Sequence, residues 1–335
     1  MNDLLLNIKG LKTFFNLTRG TLHAVDGVSL KVGAGEIVGL VGESGSGKSV
    51  LARSVLRLLQ HPGYIAEGEI IYEGTDLTKL PEEKMREHRG KKIAMVFQDP
   101  LGYLNPVMKV GSQIEEALRI HRPNEDPKKI IPSLLESVGF PKTARIWDRY
   151  PHELSGGMLQ RVIIALAISC DPKLLIADEP TTALDVTIQA QVLRLLKKLC
   201  KEREMAMLLI THNLGIVADT CDRIYVMYCG RIVETADVFS LFENPYHPYT
   251  KGLLEATLSI DEFRENLTTI EGTVPDPINL PPGCRFAPRC PAARAVCTQG
   301  EPPCVTIDAL KEHVAYCWIG TAEYEKSSSP VTTAN

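Results

Sequence analysis

Long hydrophobic runs are missing from this 335-residue chain. The longest apolar stretches, VIIALAIS (162–169) and MAMLLI (205–210), fall well short of the roughly 18 residues that suggest a membrane helix. Any membrane role therefore has to pass through partner chains. The start, MNDLLLNIKG, lacks the basic region and apolar core of a secretory segment, and the expectation is a cytosolic protein. An excess of positive charge is missing too: 37 Lys and Arg stand against 41 Asp and Glu, a formal net charge of −4. That balance speaks against general nucleic-acid binding, which favours a basic surface. Cysteine is scarce over the first 283 positions, with four of the nine residues, and the other five fall between 284 and 317. Disulfides seldom persist in a cytosolic protein, so those five need another explanation.

Short apolar runs alternate with helical patterns, which predicts an α/β fold with a largely parallel sheet. EIVGLVG (36–42), KKIAMVFQ (91–98), KLLIAD (173–178) and AMLLITH (206–212) read as buried strands. QAQVLRLLKKLCKE (189–202) places apolar residues at helical spacing opposite lysines, an amphipathic surface helix. Strand signals fade between about 99 and 160, where GSQIEEALRI and KKIIPSLLESVG read as an inserted helical subdomain. The alternation stops near 236. A proline- and cysteine-rich extension follows over 259–320, and the polar tail 321–335 reads as disordered.

GESGSGKS (42–49) fits G-x-x-x-x-G-K-[ST] between a predicted strand and a predicted helix, the context a phosphate-binding loop requires. Gly45 and Gly47 let the backbone approach a phosphate chain, with the positive end of the following helix behind it. Lys48 is expected to neutralise the β- and γ-phosphates and Ser49 to ligate Mg²⁺. LLIADEP (174–180) is an apolar strand ending in two acids, a costly arrangement without a cation. Asp178 is expected to hold Mg²⁺, and Glu179 to polarise the attacking water. LSGGMLQR (154–161) offers a second exposed helix start, at Ser155, Gly156 and Gly157. One nucleotide needs only one phosphate loop, which suggests that ATP is sandwiched between two subunits.

Together with VFQDP, TTALDVT and LLITHN, these motifs occur in the order found in the ATP-binding-cassette (ABC) ATPases, which residues 1–258 resemble. The resemblance implies a P-loop NTPase core with an antiparallel β subdomain and an inserted helical subdomain, followed here by a small Cys-rich extension. It implies a head-to-tail cassette dimer binding ATP and Mg²⁺. It assigns Gly42, Ser44, Gly45, Ser46, Gly47, Lys48, Ser49 and Val50 to the nucleotide, and Ser155, Gly156 and Gly157 to the γ-phosphate held by the other subunit. Gln98 looks like the glutamine that joins Mg²⁺ and the attacking water, Asp185 like the acid that communicates across the dimer, and His212 like the γ-phosphate histidine. Phe15 looks like the aromatic that stacks on adenine. Met158 departs from the family's usual glutamine after LSGG, at a position where the backbone and Ser155 carry the phosphate contact.

A single cassette, with Lys48 and Ser155 only 107 positions apart, suits a transporter motor. The alternative is a non-transport ABC ATPase with a regulatory or ribosome-associated role. FQDPLGYLNP and NPYHPYTKGLLEA (244–256) look like the dipeptide and oligopeptide importer ATPases. Such a resemblance implies two membrane permease subunits, a second cassette (a related chain or another copy), an extracytoplasmic peptide-binding protein, and a position on the cytoplasmic side of the membrane. It leaves the cargo open.

The five clustered cysteines leave four readings open: disulfides, free buried thiols, a zinc site, and an iron–sulfur cluster. The gaps of five, six, six and twelve residues are wider than those of usual zinc pairs, and clusters tolerate wider spacing. GCRFAPRCPAARAVC and VAYCW resemble the family segment that holds a [4Fe–4S] cluster. The resemblance implies Cys284, Cys290, Cys297 and Cys317 as its ligands, with Cys304 spare.

Overall fold

The computed structural model describes residues 4–99, 102–182, 184–261 and 270–327, and for 257–261 the backbone alone. Pro100 and Leu101 of FQDPLGYLNP, Ala183 of TTALDVT, and residues 328–335 of the tail expected to be disordered lie outside the described residues.

In chain order the strands are β1 (Leu4–Leu17), β2 (Gly20–Gly33), β3 (Ile37–Val41), β4 (Gly63–Tyr72), β5 (Thr75–Asp76), β6 (Ile93–Val96), β7 (Leu174–Asp178), β8 (Ala206–Thr211), β9 (Arg223–Tyr228), β10 (Arg231–Asp237), β11 (Cys304–Asp308) and β12 (His313–Tyr316). The helices are α1 (Lys48–Val55), α2 (Glu82–His88), α3 (Val110–His121), α4 (Pro127–Ser137), α5 (Gly156–Ile168), α6 (Val186–Glu202), α7 (Leu214–Thr220), α8 (Val238–Glu243), α9 (Pro248–Asp261) and α10 (Ala322–Lys326). The chain divides into two compact units, one built mainly from residues 71–210, the other from 7–30, 38–70 and 211–335.

In the first unit β6, β7 and β8 run parallel, with Ile93 opposite Leu174 and Leu174 opposite Ala206. Every residue of β7 and β8 is buried, which is why these strands read as unbroken apolar runs rather than alternating ones. Helices α3, α4 and α5 fill the chain between β6 and β7 and pack on one another. Asp126 caps α4 by accepting from the Lys128 N–H, with Pro127 at the first turn. One face of α6 buries Val192, Leu193, Leu196, Leu199 and Cys200.

In the second unit β2, β1 and β4 are neighbours in that order. β3 pairs parallel to β9, β9 pairs antiparallel to β10, and β10 pairs antiparallel to β12, which in turn holds β11. The proline- and cysteine-rich extension thus supplies two strands, β11 and β12, to the sheet that contains β3. The sequence draws a boundary at 258; the register Glu234 opposite Ala315 and Thr235 opposite Val314 crosses it. The sequence also assigns position 321 onward to an unstructured tail, whereas Thr321 caps α10 and Tyr324 is buried. An aromatic side chain with an apolar seat to fill overrides the polar composition around it.

Candidate active site

The phosphate loop grows out of β3, all five of whose residues are buried. Gly42 follows with φ 155° and Gly47 precedes α1 with φ 103°, the latter in the left-handed region and with no side chain capping the helix. A Cβ on Gly42 would lie 2.1 Å from the Met227 carbonyl, and one on Gly47 2.1 Å from the Ala24 carbonyl. These glycines are required by backbone that passes behind the loop. Gly45 differs: its φ is 79°, but a Cβ there meets open space. The Gly230 N–H donates to the Ser46 carbonyl at 2.8 Å, fixing the loop from beneath.

Lys48 is buried, and its Nζ donates to the carbonyls of Gly42 (2.7 Å) and Glu43 (2.8 Å) and to Ser46 Oγ (3.3 Å). Ser44 and Gly45 are exposed, while Ser49 and Val50 are half-buried. On β1, Phe15 packs its ring against the backbone of Gly63. Its neighbour Phe14 makes the aromatic contacts, 4.3 Å from the ring of His23 and 6.5 Å from that of Tyr64. His212 is exposed just after β8, beside Asn213, which caps α7.

In the other unit, Asp178 closes β7 and is buried. Glu179 follows with φ 46°, a left-handed conformation that a side chain seldom adopts without a compensating constraint. The constraint is visible: its N–H donates to the Ile210 carbonyl at 2.9 Å. Its Oε2 accepts from Gln98 Nε2 at 3.1 Å and from Thr182 Oγ1 at 2.8 Å. Two residues singled out 81 positions apart are thus brought into contact. Ser155 and Gly156 stand exposed at the start of α5, and no side chain caps that helix either. A Cβ on Gly157 would come within 2.8 Å of Ile188 on α6. Asp185 caps α6, accepting from the Ile188 N–H at 3.0 Å.

None of the nine cysteines is paired in a disulfide. Four of the five C-terminal thiols lie within electrostatic range of one another. Burial pushes the Cys290 thiol up to about 12, with Cys284, Cys317 and Cys297 adding to it. Burial likewise raises Cys317 to about 11, with Cys284 and Cys297 contributing. Cys304 is exposed on β11 and lies across from Tyr316. A small apolar cluster comprises Ala287, Val296, Cys297 and Tyr324, with Cys284, Trp318 and Ile319 packed on it. Among the described residues no three His, Cys, Asp or Glu side chains converge as ligands of a single metal ion.

The sequence pattern of the family described as "ABC transporter" matches residues 25–182. That described as "Oligopeptide/dipeptide transporter, C-terminal region" matches residues 233–297. Over 305 residues the chain is 50% identical to the oligopeptide transport ATP-binding protein AppD of Bacillus subtilis, covering 90% of this chain and 93% of that one. The chain belongs to the oligopeptide/dipeptide branch of the ABC transporter ATP-binding proteins.

Other members of this ABC family agree. A putative peptide import ATP-binding protein of Brucella abortus is 49% identical over 300 residues, covering 89% of this chain and 90% of that one. The dimeric ATP-binding cassette MJ0796, in a post-hydrolysis state bound to ADP and Pi, superposes with a TM-score of 0.63 at 26% identity. It covers 70% of this chain and 98% of its own. Cassette cbiO1 of Clostridium perfringens, part of the transporter complex cbiONQ, gives a TM-score of 0.62 at 28% identity, covering 72% of this chain and 92% of that one. Among the described residues, no helix of this ABC protein is long and apolar enough to cross a membrane.

Several residues that support the ABC phosphate loop were not legible as site residues. Tyr249, from the NPYHPYT segment, is fully buried and accepts from the Glu43 N–H at 2.8 Å. Glu234 on β10 is fully buried and accepts from the N–H groups of Tyr246 (2.7 Å) and His247 (2.9 Å), with His313 Nε2 at 2.8 Å. Burial pushes the Glu234 carboxyl up, but His313 and those two N–H groups together hold it below its ordinary range. Arg289 reaches Glu43 with two hydrogen bonds, Nη1 to Oε2 at 2.7 Å and Nη2 to Oε1 at 3.1 Å. The available signals were a charged residue inside the apolar run RIVETAD and an acid inside GESGSGKS.

Proposed function

We propose that this chain is the ATP-hydrolysing motor subunit of a peptide importer. The observation that carries this reading is the Glu179 carboxylate, held by Gln98 and Thr182 at the end of β7 in a chain half identical to an oligopeptide transport ATP-binding protein. In this reading the backbone of 42–49 and Lys48 bind the triphosphate, and Phe15 stacks on adenine. The donor set for Mg²⁺ is all oxygen, from Ser49, Asp178 and Gln98, which suits a hard cation. Glu179 polarises the attacking water and His212 contacts the γ-phosphate. Ser155, Gly156 and Gly157 act on the nucleotide of a second cassette, and Asp185 communicates across the dimer. No side chain caps α1 or α5, which favours this, because the N–H groups of a helix's first turn are suited to phosphate oxygens.

Two permease chains, a second cassette and an extracytoplasmic peptide-binding protein complete the importer, which places this subunit on the cytoplasmic face of the membrane. No observation favours the non-transport alternative. The two relatives compared above are named as transport and import ATP-binding proteins.

The C-terminal thiols support a further part of the reading: Cys284, Cys290, Cys297 and Cys317 as ligands of a [4Fe–4S] cluster. The four thiols act on one another electrostatically and their wide spacing suits a multi-iron group, although among the described residues no three His, Cys, Asp or Glu side chains form a group that could hold a metal ion. Burial, with the neighbouring thiols, raises Cys290 and Cys317, and bound cations would hold them as thiolates. The chemistry supplied is structural: a crosslink for a segment with little core of its own.

The test of the motor is Glu179→Gln. MgATP binding is expected to stay within about threefold, while turnover falls by about 10²–10⁴-fold. The variant is expected to form an ATP-dependent dimer in light scattering. Hydrolysis above about a tenth of the normal rate would remove Glu179 as the principal base.

A further inference from the structure

A carboxylate inside a loop that must receive a polyanion is an electrostatic liability, and Glu43 is such a carboxylate. The second residue of the phosphate loop, it carries a side chain 27% exposed. Its partner comes from the C-terminal extension, 246 positions away. The Arg289 side chain is 4% exposed and every nitrogen is engaged. Nη1 and Nη2 hold the two oxygens of Glu43, Nη1 also reaches the Tyr228 hydroxyl at 3.3 Å, Nε donates to the Glu271 carbonyl at 3.0 Å, and Nη2 to the Ile270 carbonyl at 3.1 Å. The guanidinium also lies 5.8 Å from the Tyr228 ring and 6.0 Å from the Phe286 ring. A planar fork fixed at five contacts has no freedom to leave, which separates it from an ordinary surface pair.

We propose that Arg289 is a positioning residue for nucleotide binding, neutralising and immobilising Glu43 so that the phosphate loop accepts a triphosphate. The inference rests on reading 42–49 as the phosphate loop. It assigns the C-terminal extension a task in the ATPase cycle: the loop's charge is set by a side chain from outside the cassette's own motifs. Without Arg289, Glu43 stands as a net negative charge beside the incoming phosphates, and the charge, rather than a loss of shape, weakens binding.

The experiment measures MgATP affinity with a fluorescent ATP analogue on the purified full chain, with melting temperature and steady-state kinetics beside it. Arg289→Met is expected to weaken affinity about tenfold, equivalent to about 1.4 kcal/mol, with KM rising and kcat within about twofold. Adding Glu43→Gln to Arg289→Met is expected to recover most of that loss, because the unpaired charge is gone. Arg289→Lys, which keeps the charge and loses the fork, is expected to lose only two- to threefold, about 0.4–0.7 kcal/mol. A double variant as weak as Arg289→Met would overturn the proposal, since the loss would then come from loop distortion. An Arg289→Met protein with lowered melting temperature and unchanged affinity would do the same. If Arg289→Met does not fold, Arg289→Gln, which removes the charge and keeps a polar side chain, decides: unchanged affinity there sinks the proposal. Lys48→Ala separates the two levels, because wild-type affinity in that variant would instead remove the phosphate-loop reading.

Discussion

At the residue scale, the phosphate loop separates two reasons for glycine that a motif cannot distinguish. Gly42 and Gly47 are demanded by backbone carbonyls 2.1 Å from where a Cβ would sit, whereas Gly45 needs only its positive φ. Gly47→Ala is therefore expected to abolish measurable MgATP binding and lower the melting temperature. Gly45→Ala, with open space around it, is expected to cost about 1 kcal/mol of stability, the penalty for a side chain in the left-handed region. Calorimetry on both variants checks this; equal stability losses would refute the packing explanation. Glu179 makes the complementary point. Its acid was visible in the sequence as the end of LLIADEP, but its left-handed φ of 46° was not, because that conformation is imposed by the Ile210 carbonyl and by Gln98 and Thr182.

At the element scale, NPYHPYT reads in the sequence as a proline- and aromatic-rich turn, and the structure gives it a physical task. It delivers two N–H groups to Glu234 on β10 and the Tyr249 hydroxyl to the Glu43 N–H. His247, fully buried there, is held neutral: burial lowers its pKa from 6.5 to about 4. The unfolded chain takes up a proton near 6.5 and the folded chain only near 4, so acidification through that window favours unfolding. The loss is about 3 kcal/mol when the whole window is crossed, at about 1.4 kcal/mol per pH unit. Glu234, whose carboxyl is depressed in the folded state, loses its contribution in the same direction at the acid end. Denaturant titrations between pH 7.5 and 4.5 are expected to show stability falling below about 6.5. His247→Gln is expected to flatten that dependence, and an unchanged slope would assign it to other groups. Strands β3, β6, β7 and β8 were legible because a fully buried parallel strand is an apolar run. Strands β10 to β12 were not, because β10 carries a buried acid and β11 and β12 are short and only partly buried, and β9, an apolar run buried from its second residue on, went unread.

At the scale of the whole molecule, the extension adds strands β12 and β11 beyond β10 and brings Arg289 to Glu43. If the thiol quartet holds a [4Fe–4S] group, anaerobically purified protein is expected to contain about four iron and four sulfide per chain and to absorb near 400 nm, with the ligation chemistry of such clusters. Cys317→Ser is expected to lose the absorbance and Cys304→Ser to keep it; colourless protein with one zinc per chain would overturn this assignment. What the sequence determined by itself was whatever is written in short spans: a phosphate loop within eight positions, a strand ending in acids, a Ser-Gly-Gly helix start, and the spacing of the cysteines. Those features are legible because neighbours along the chain create their own geometry. The tertiary structure alone decided which distant segments meet: Gln98 with Glu179, Glu234 with His313, and Arg289 with Glu43. Such pairs lie 81, 79 and 246 positions apart, and only the order of strands in a sheet and the burial of charge against its counter-charge select them.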